Sequence, residues 1–105
     1  MQVSLDAAPG RGGAAPAQVM GLAKAIAGED GLSLGGVMAV APLGMPPRPA
    51  YARLREVAAR VRAEYPGASV ISAGMSGDLG EAIAEGATHV RIGTALLGGR
   101  RAFVR

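Results

Sequence analysis

Short apolar segments alternate with segments of helical periodicity along the whole chain, and this alternation predicts both strand direction and fold class. The apolar segments occupy residues 2–5, 34–41, 69–73 and 88–92. Strands that are separated by single helices with short links run parallel and are joined by right-handed crossovers. The sequence therefore predicts an α/β fold of four βα units with parallel strands.

The predicted helices each present one apolar face. They cover residues 16–27 and 49–64, with a third that starts after Asp78 and a short turn over 94–97. Apolar residues recur at helical spacing in the first two helices. These residues are Val19, Leu22, Ala23 and Ile26 in the first, and Tyr51, Leu54, Val57, Ala58, Val61 and Tyr65 in the second. We expect Asp78 to cap the third helix, with Glu81 as its return partner.

Two architectures accommodate four parallel βα units: a small open sheet, or part of a (β/α)8 barrel. A complete barrel needs about 250 residues, and 105 residues are somewhat less than half of that. The loops that follow the last two strands of such barrels frequently bind phosphate. If the chain is the second half of a barrel, its last two strands precede those loops.

Composition excludes several classes of protein. The chain is 50% hydrophobic and 18% charged, as expected for a single globular domain. It has no cysteine and no apolar run behind basic residues at its start, so we expect a cytoplasmic protein without a membrane span. The net charge of +3 raises nucleic acid as a partner, but aromatic residues make up only 3% and do not alternate with the arginines. We therefore expect no nucleic-acid binding.

Two segments, residues 72–78 and 90–94, have the composition of phosphate-binding loops. Each is predicted where a strand gives way to a helix, and the unpaired amides of a helix's first turn attract anions. Glycines at 74, 77 and 93 allow close approach of a ligand to the backbone, while Ser76 and Thr94 carry hydroxyl donors. An ordinary βα loop with a helix cap is the alternative interpretation.

No catalytic or metal site is predicted. The chain contains one histidine, His89, and no cysteine, so familiar metal ligands are missing. No nucleophile elbow of the G-x-S-x-G type occurs. Arg91 is open to two interpretations, a ligand-binding residue or a strand arginine paired with a neighbouring carboxylate.

Residues 72–79 (Ser-Ala-Gly-Met-Ser-Gly-Asp-Leu) and 81–98 (Glu-Ala-Ile-Ala-Glu-Gly-Ala-Thr-His-Val-Arg-Ile-Gly-Thr-Ala-Leu-Leu-Gly) closely resemble the pyridoxal 5′-phosphate (PLP) homeostasis protein family, the YggS-like proteins. That family has a PLP-binding barrel related to the N-terminal domain of alanine racemase. Upstream, residues 2–5 resemble its fifth strand, 11–13 the start of the following loop, and 36–42 its sixth strand. The resemblance implies that residues 1–105 form a single partial domain, the C-terminal half of the barrel with strands 5 to 8.

The resemblance also implies a role for individual residues. Ser76, with the backbone amides from Gly74 through Met75 to Gly77, is similar to one half of the family's phosphate cup. Gly93 and Thr94 are similar to the other half, and Arg91 to the arginine that faces the pyridine nitrogen. A guanidinium has only donors and stays protonated, so it would disfavour a protonated pyridine and weaken the electron sink of amino-acid chemistry. A non-catalytic PLP carrier is therefore implied.

One departure from the family limits this function. Family members hold PLP as a Schiff base to a lysine in the N-terminal half of the barrel, whereas Lys24 is the only lysine here. Lys24 lies in mid-helix, off the apolar stripe, so we expect it to be solvated. The expected function is PLP binding that is noncovalent at best, with a small phosphorylated ligand as partner.

Two alternatives remain open at this stage. Besides noncovalent PLP binding, one alternative is a truncated gene product without independent function, and the other is a remnant of a PLP-dependent racemase-type enzyme. A four-stranded parallel sheet also has two unpaired edges, which favour self-association.

Overall fold

The computed structural model describes residues 1–6 and 12–99, so the predicted loop start at Arg11 and the basic C-terminal tail lie outside the described residues. A 3-10 turn, Pro16–Gln18, precedes the first α-helix. The helices are α1 (Val19–Ala27), α2 (Pro47–Glu64), α3 (Leu79–Ala84) and α4 (Thr94–Leu97), and the strands are β1 (Gly36–Ala39) and β2 (Val70–Ala73). No helix of the described ranges combines the length and the apolarity needed to cross a bilayer.

The two strands pair in parallel, and single bridges extend the sheet on both sides. Gln2 bridges to Met38 of β1, and His89 bridges to Ser72 of β2, both in parallel orientation. The spatial order is thus the first segment, β1, β2 and the last segment, which is also their order along the chain. The predicted parallel arrangement is confirmed, although only its two central members are continuous strands.

The first predicted strand, residues 2–5, is shorter than expected. Pairing with β1 ends after the bond from the Val3 amide to the Met38 carbonyl, and no hydrogen bond of the described residues joins Ser4 or Leu5 to β1. The Leu5 carbonyl accepts a hydrogen bond from the Arg53 guanidinium of α2. The Ser4 hydroxyl donates to the carbonyl of Asp6 at 2.6 Å.

The last predicted strand, residues 88–92, is likewise reduced to one bridge, at His89. The His89 carbonyl accepts from the Ala73 amide at 3.0 Å, as in a regular ladder. The next bond joins the Arg91 amide to the Gly74 carbonyl at 2.8 Å. In a regular parallel ladder the Arg91 amide would donate to the Ala73 carbonyl. Gly74 has a φ of +100°, so the backbone has already turned out of β2.

The prediction of two unpaired sheet edges is wrong for the first edge. The Ala14 amide donates to the Gln2 carbonyl, and the Ser4 amide donates to the Ala14 carbonyl, each at 2.9 Å. At the other edge, the backbone groups of Val90 and Ile92 have no hydrogen-bond partner in the described ranges. Among residues 1–6 and 12–99, the edge formed by the last segment is therefore the open one.

Helix α2 supplies more buried residues to the described core than any other element. Its predicted apolar face is confirmed, except that Tyr65, just beyond the helix, is only half-buried. The buried residues of α2 are Ala50, Tyr51, Leu54, Val57, Ala58 and Val61. The face of α1 is narrower than predicted, since Val19 and Ala23 are buried while Leu22 is 39% exposed. Within the described ranges α1 packs mainly against α2, and a single neighbouring helix covers only a narrow stripe.

Gly36 permits the close pairing at the start of β1. Its φ is +148°, and a Cβ built on it would lie 1.9 Å from the Val70 carbonyl oxygen. No side chain can be accommodated at that distance, so the strand pair requires glycine here. A Cβ built on the preceding Gly35 would have no described atom within 4 Å.

We expect Gly36→Ala to destabilise the fold by about 2 kcal/mol or more, since it combines an unfavourable φ with a backbone clash. Chemical denaturation measures the change. Gly35→Ala is the matched control, and it should shift the free energy of unfolding by about 0.5 kcal/mol or less. Equal effects of the two substitutions would contradict this account.

A buried carboxylate joins α2 to the end of α3. The Glu85 side chain is 8% exposed and accepts a hydrogen bond from Nε of Arg48. Its Oε1 lies 3.0 Å from Nη1 of Arg55 as an ion pair, without the alignment of a hydrogen bond. The hydrogen bond from Arg48, followed by the charges of both arginines, lowers the pKa of Glu85 below its ordinary 4.5 despite some desolvation.

Because the folded-state pKa is lowered, the ionised Glu85 stabilises the fold above pH 4.5, and this contribution is lost as the pH falls through the folded-state value. We expect Glu85→Gln to lower the free energy of unfolding at neutral pH. This loss should become smaller as the pH falls into the acid range. Urea denaturation across the pH range measures the difference. The exposed Glu64→Gln is the control, and a pH-independent cost of Glu85→Gln would contradict the prediction.

Candidate phosphate site

The loop after β2 begins at Gly74, whose need for glycine is explained by packing. A Cβ on Gly74 would lie 2.7 Å from the Cβ of Ala82 in α3 and 3.3 Å from the Cα of Leu79. The residue is buried, and its φ of +100° is unfavourable for any side chain. Close approach of α3, and not of a ligand, is what excludes a side chain at Gly74.

Asp78 shapes this loop and does not cap α3, so the predicted capping box is wrong. Its Oδ1 accepts from the Met75 amide at 2.9 Å, and its own amide donates to the Met75 carbonyl at 3.1 Å. Its Oδ2 accepts from the Tyr51 hydroxyl of α2 at 2.7 Å. The carboxylate points away from the first amides of α3 because its two oxygens accept from the Met75 amide and the Tyr51 hydroxyl instead.

The Ser76 hydroxyl brings the two predicted phosphate segments together. Its Oγ accepts a hydrogen bond from the Ala95 amide, in the first turn of α4, at 2.9 Å. The hydroxyl hydrogen remains available, since the oxygen acts only as acceptor in this bond. The loop after β2 and the loop before α4 are thereby held side by side, as a shared site requires.

Several backbone amides around this contact have no acceptor. In the described ranges, no hydrogen bond uses the amides of Ser76, Gly77, Gly93 or Thr94. A Cβ on Gly77 or on Gly93 would meet no described atom within 4 Å. These glycines therefore border open space, which is the predicted condition for ligand approach. Met75 differs from them, because its amide is already used by Asp78.

Arg91 reaches across the ends of both strands. Its Nη2 donates to the Ala39 carbonyl at the end of β1, at 3.0 Å. No carboxylate of the described residues forms an ion pair with it. Its Nε is buried and has no hydrogen-bond partner in that part of the chain. A buried donor without an acceptor is costly, so this nitrogen is one point at which a ligand acceptor would fit.

Tyr51 is a residue of this site that the sequence analysis assigned only to the core. Its side chain is 2% exposed, and its hydroxyl meets Asp78. Burial, followed by the hydrogen bond to Asp78, raises the pKa of Tyr51 to about 12, so the phenol is a permanent donor at physiological pH. A buried tyrosine needs a partner for its hydroxyl, and that requirement is the signal that could have revealed the contact.

The remaining candidate groups lie apart from this arrangement. Lys24 is exposed on α1, as expected. Nδ1 of His89 lies 2.8 Å from Oγ1 of Thr88, and the described residues include no cluster of metal-ligating side chains. A separate cleft lies beside the first segment, between Gln2 and Val40. The loops around Ser76 therefore form an open surface whose free donors suit an anion.

Comparison with known proteins agrees with the resemblance. The family model described as the alanine racemase N-terminal domain matches residues 1–101. The pyridoxal phosphate homeostasis protein of Mycobacterium tuberculosis is 45% identical over 104 residues, covering 96% of this chain and 40% of the relative. That of Corynebacterium glutamicum is 43% identical over 100 residues, covering 95% of this chain and 45% of the relative.

Solved structures give the same result for the fold. PipY of Synechococcus elongatus, solved without PLP, superposes with a TM-score of 0.83 at 33% identity, over 92% of this chain and 47% of PipY. The same protein with PLP bound gives a TM-score of 0.78 at 32% identity, over 93% of this chain and 47% of PipY. The chain thus spans less than half the length of these relatives, and it belongs to the pyridoxal phosphate homeostasis protein family, whose barrel is that of the alanine racemase N-terminal domain.

Proposed function

We propose that this chain is the C-terminal half of a PLP homeostasis barrel and that its last two loops bind the phosphate of PLP noncovalently. The observation that carries the proposal is the hydrogen bond between Ser76 and Ala95, which joins the two predicted halves of the phosphate cup. In (β/α)8 barrels, phosphate frequently lies at the loops after the last two strands. The spatial order of the segments agrees with that position.

The residues present fit a phosphorylated cofactor. The amides of Ser76, Gly77, Gly93 and Thr94 are free to donate, and the hydroxyls of Ser76 and Thr94 can add two further donors. The buried Nε of Arg91 would donate to the ring nitrogen of PLP. Together these groups bind a phosphate and an aromatic acceptor without placing a general base between them.

The arginine favours a carrier over an enzyme. Bound PLP supplies an electron sink to amino-acid chemistry when its ring nitrogen is protonated. Arg91 holds only donors and cannot accept that proton or share it. Its guanidinium is also fixed to the Ala39 carbonyl, so its position does not depend on the ligand. We therefore infer that the chain binds PLP without catalysis.

Thermal unfolding with and without PLP tests the proposal. A ligand present at about one hundred times its dissociation constant adds about 2.7 kcal/mol to the stability of the folded state. We expect PLP to raise the melting temperature more than inorganic phosphate does. The double variant Ser76→Ala with Thr94→Ala should lose most of that rise, because hydrogen bonds to a charged group contribute about 1.5–3 kcal/mol each.

Two controls make this test specific. PLP reacts with exposed amines, so the measurements are made in a Lys24→Arg background, which removes the only lysine side chain. Ser33→Ala, at an exposed position away from the loops, should leave the PLP effect unchanged. An equal PLP effect in the double variant would refute the phosphate site. The absence of any cooperative transition would favour a chain without independent function.

We also propose self-association through the open sheet edge. In the described part of the chain, the backbone groups of Val90 and Ile92 are unpaired, and these residues are 37% and 38% exposed. Leu96 and Leu97 of the following α4 are 76% and 81% exposed. Unpaired edges with apolar side chains favour pairing with another chain.

We expect light scattering to show a concentration-dependent dimer. Ile92→Lys should weaken it, because a charge on an edge opposes strand pairing. Leu43→Lys, at a residue that is 88% exposed on the loop between β1 and α2, is the control. A strictly monomeric protein at high concentration would contradict this proposal.

A further inference from the structure

A relay of two hydrogen bonds connects the core to the candidate phosphate loop. The Tyr51 hydroxyl donates to Oδ2 of Asp78 at 2.7 Å, and the Met75 amide donates to Oδ1 of the same carboxylate at 2.9 Å. Tyr51 belongs to the long helix α2, whereas Asp78 and Met75 belong to the loop. The loop is therefore held by an element that contributes no group to the anion itself.

The Tyr51 end of this relay is rigid. Its side chain is 2% exposed and packs in the same cluster as Leu54 and Val61, so the ring is held in the close-packed core. The raised pKa keeps the hydroxyl protonated and able to donate. Oδ2 of Asp78 thus accepts its hydrogen bond from a hydroxyl that is anchored in the core.

Asp78 creates an electrostatic problem that the relay relieves. An unscreened carboxylate beside a phosphate-binding loop would repel the anion. Here each carboxylate oxygen accepts a hydrogen bond, one from Tyr51 and one from Met75, which disperses the negative charge toward the core. The same bonds hold the Met75 amide inside the loop, while the amides of Ser76 and Gly77 stay free.

We propose that Tyr51 is a positioning residue for phosphate binding: its hydroxyl fixes Asp78, and Asp78 in turn fixes the loop so that the Ser76 and Gly77 amides are presented together. This inference rests on the proposed function for its effect on affinity. Its structural part, the dependence of the Met75 amide on the Tyr51 hydroxyl, stands independently of any ligand.

Affinity for PLP and for inorganic phosphate is measured in the Lys24→Arg background, at a temperature where every variant is folded. Tyr51→Phe removes only the donor, and we expect about tenfold weaker binding of both ligands. Tyr65→Phe is the matched control, since it makes the same chemical change at a half-buried tyrosine without a hydroxyl contact to the loop. Asp78→Asn keeps an acceptor for Met75 and removes the charge, so it should bind within about threefold of the parent.

Amide hydrogen exchange at Met75 supplies the second readout. We expect this amide to exchange faster in Tyr51→Phe and in Asp78→Ala, and to be unchanged in Tyr65→Phe. An unchanged Met75 amide in Tyr51→Phe would overturn the inference whatever the affinities are. Undiminished PLP and phosphate binding by Tyr51→Phe would also overturn it, given that the parent binds. Failure of the parent to bind either ligand would refute the proposed function instead, and exchange at Met75 would still decide whether Tyr51 positions the loop.

Discussion

The hydrogen bond from the Met75 amide to the Asp78 carboxylate determines where the sheet ends and the candidate site begins. In a regular parallel ladder the Met75 amide would donate to the Arg91 carbonyl of the last segment. Here it donates to Oδ1 of Asp78 instead. Gly74, turned to a φ of +100°, is then free to offer its carbonyl to Arg91. The position of the arginine and the shape of the loop thus both depend on one backbone amide being removed from the sheet.

The periodic parts of the fold could be predicted because their causes are local. The stripe of α2 from Tyr51 to Val61 repeats at helical spacing, and the continuous apolar run around β1 is typical of a buried parallel strand. The parallel direction of the strands followed from the alternation of short apolar segments with single helices and short links. None of these features depends on which distant side chain meets which.

The parts that could not be predicted depend on competition between partners. Asp78 follows a turn and precedes a helix, so its sequence position favours a cap, and only the fold shows that Tyr51 and Met75 are better placed donors. Leu22 fits the helical stripe of α1, but no described element covers it. The sequence does indicate the two candidate phosphate segments, yet their contact through Ser76 and Ala95 joins residues 19 positions apart and requires the three-dimensional arrangement.

The pairing of Ala14 with the first segment sets a limit on assembly. Growth of a fibre by strand addition needs two complementary surfaces on each unit, whereas a unit with a single open surface is used up after one encounter. Here Ala14 already occupies the outward groups of Gln2 and Ser4. An exposed sheet edge is ordinarily a hazard, but here a short return of the chain's own backbone covers the first edge at these groups, so that among the described residues strand addition is left to the last segment.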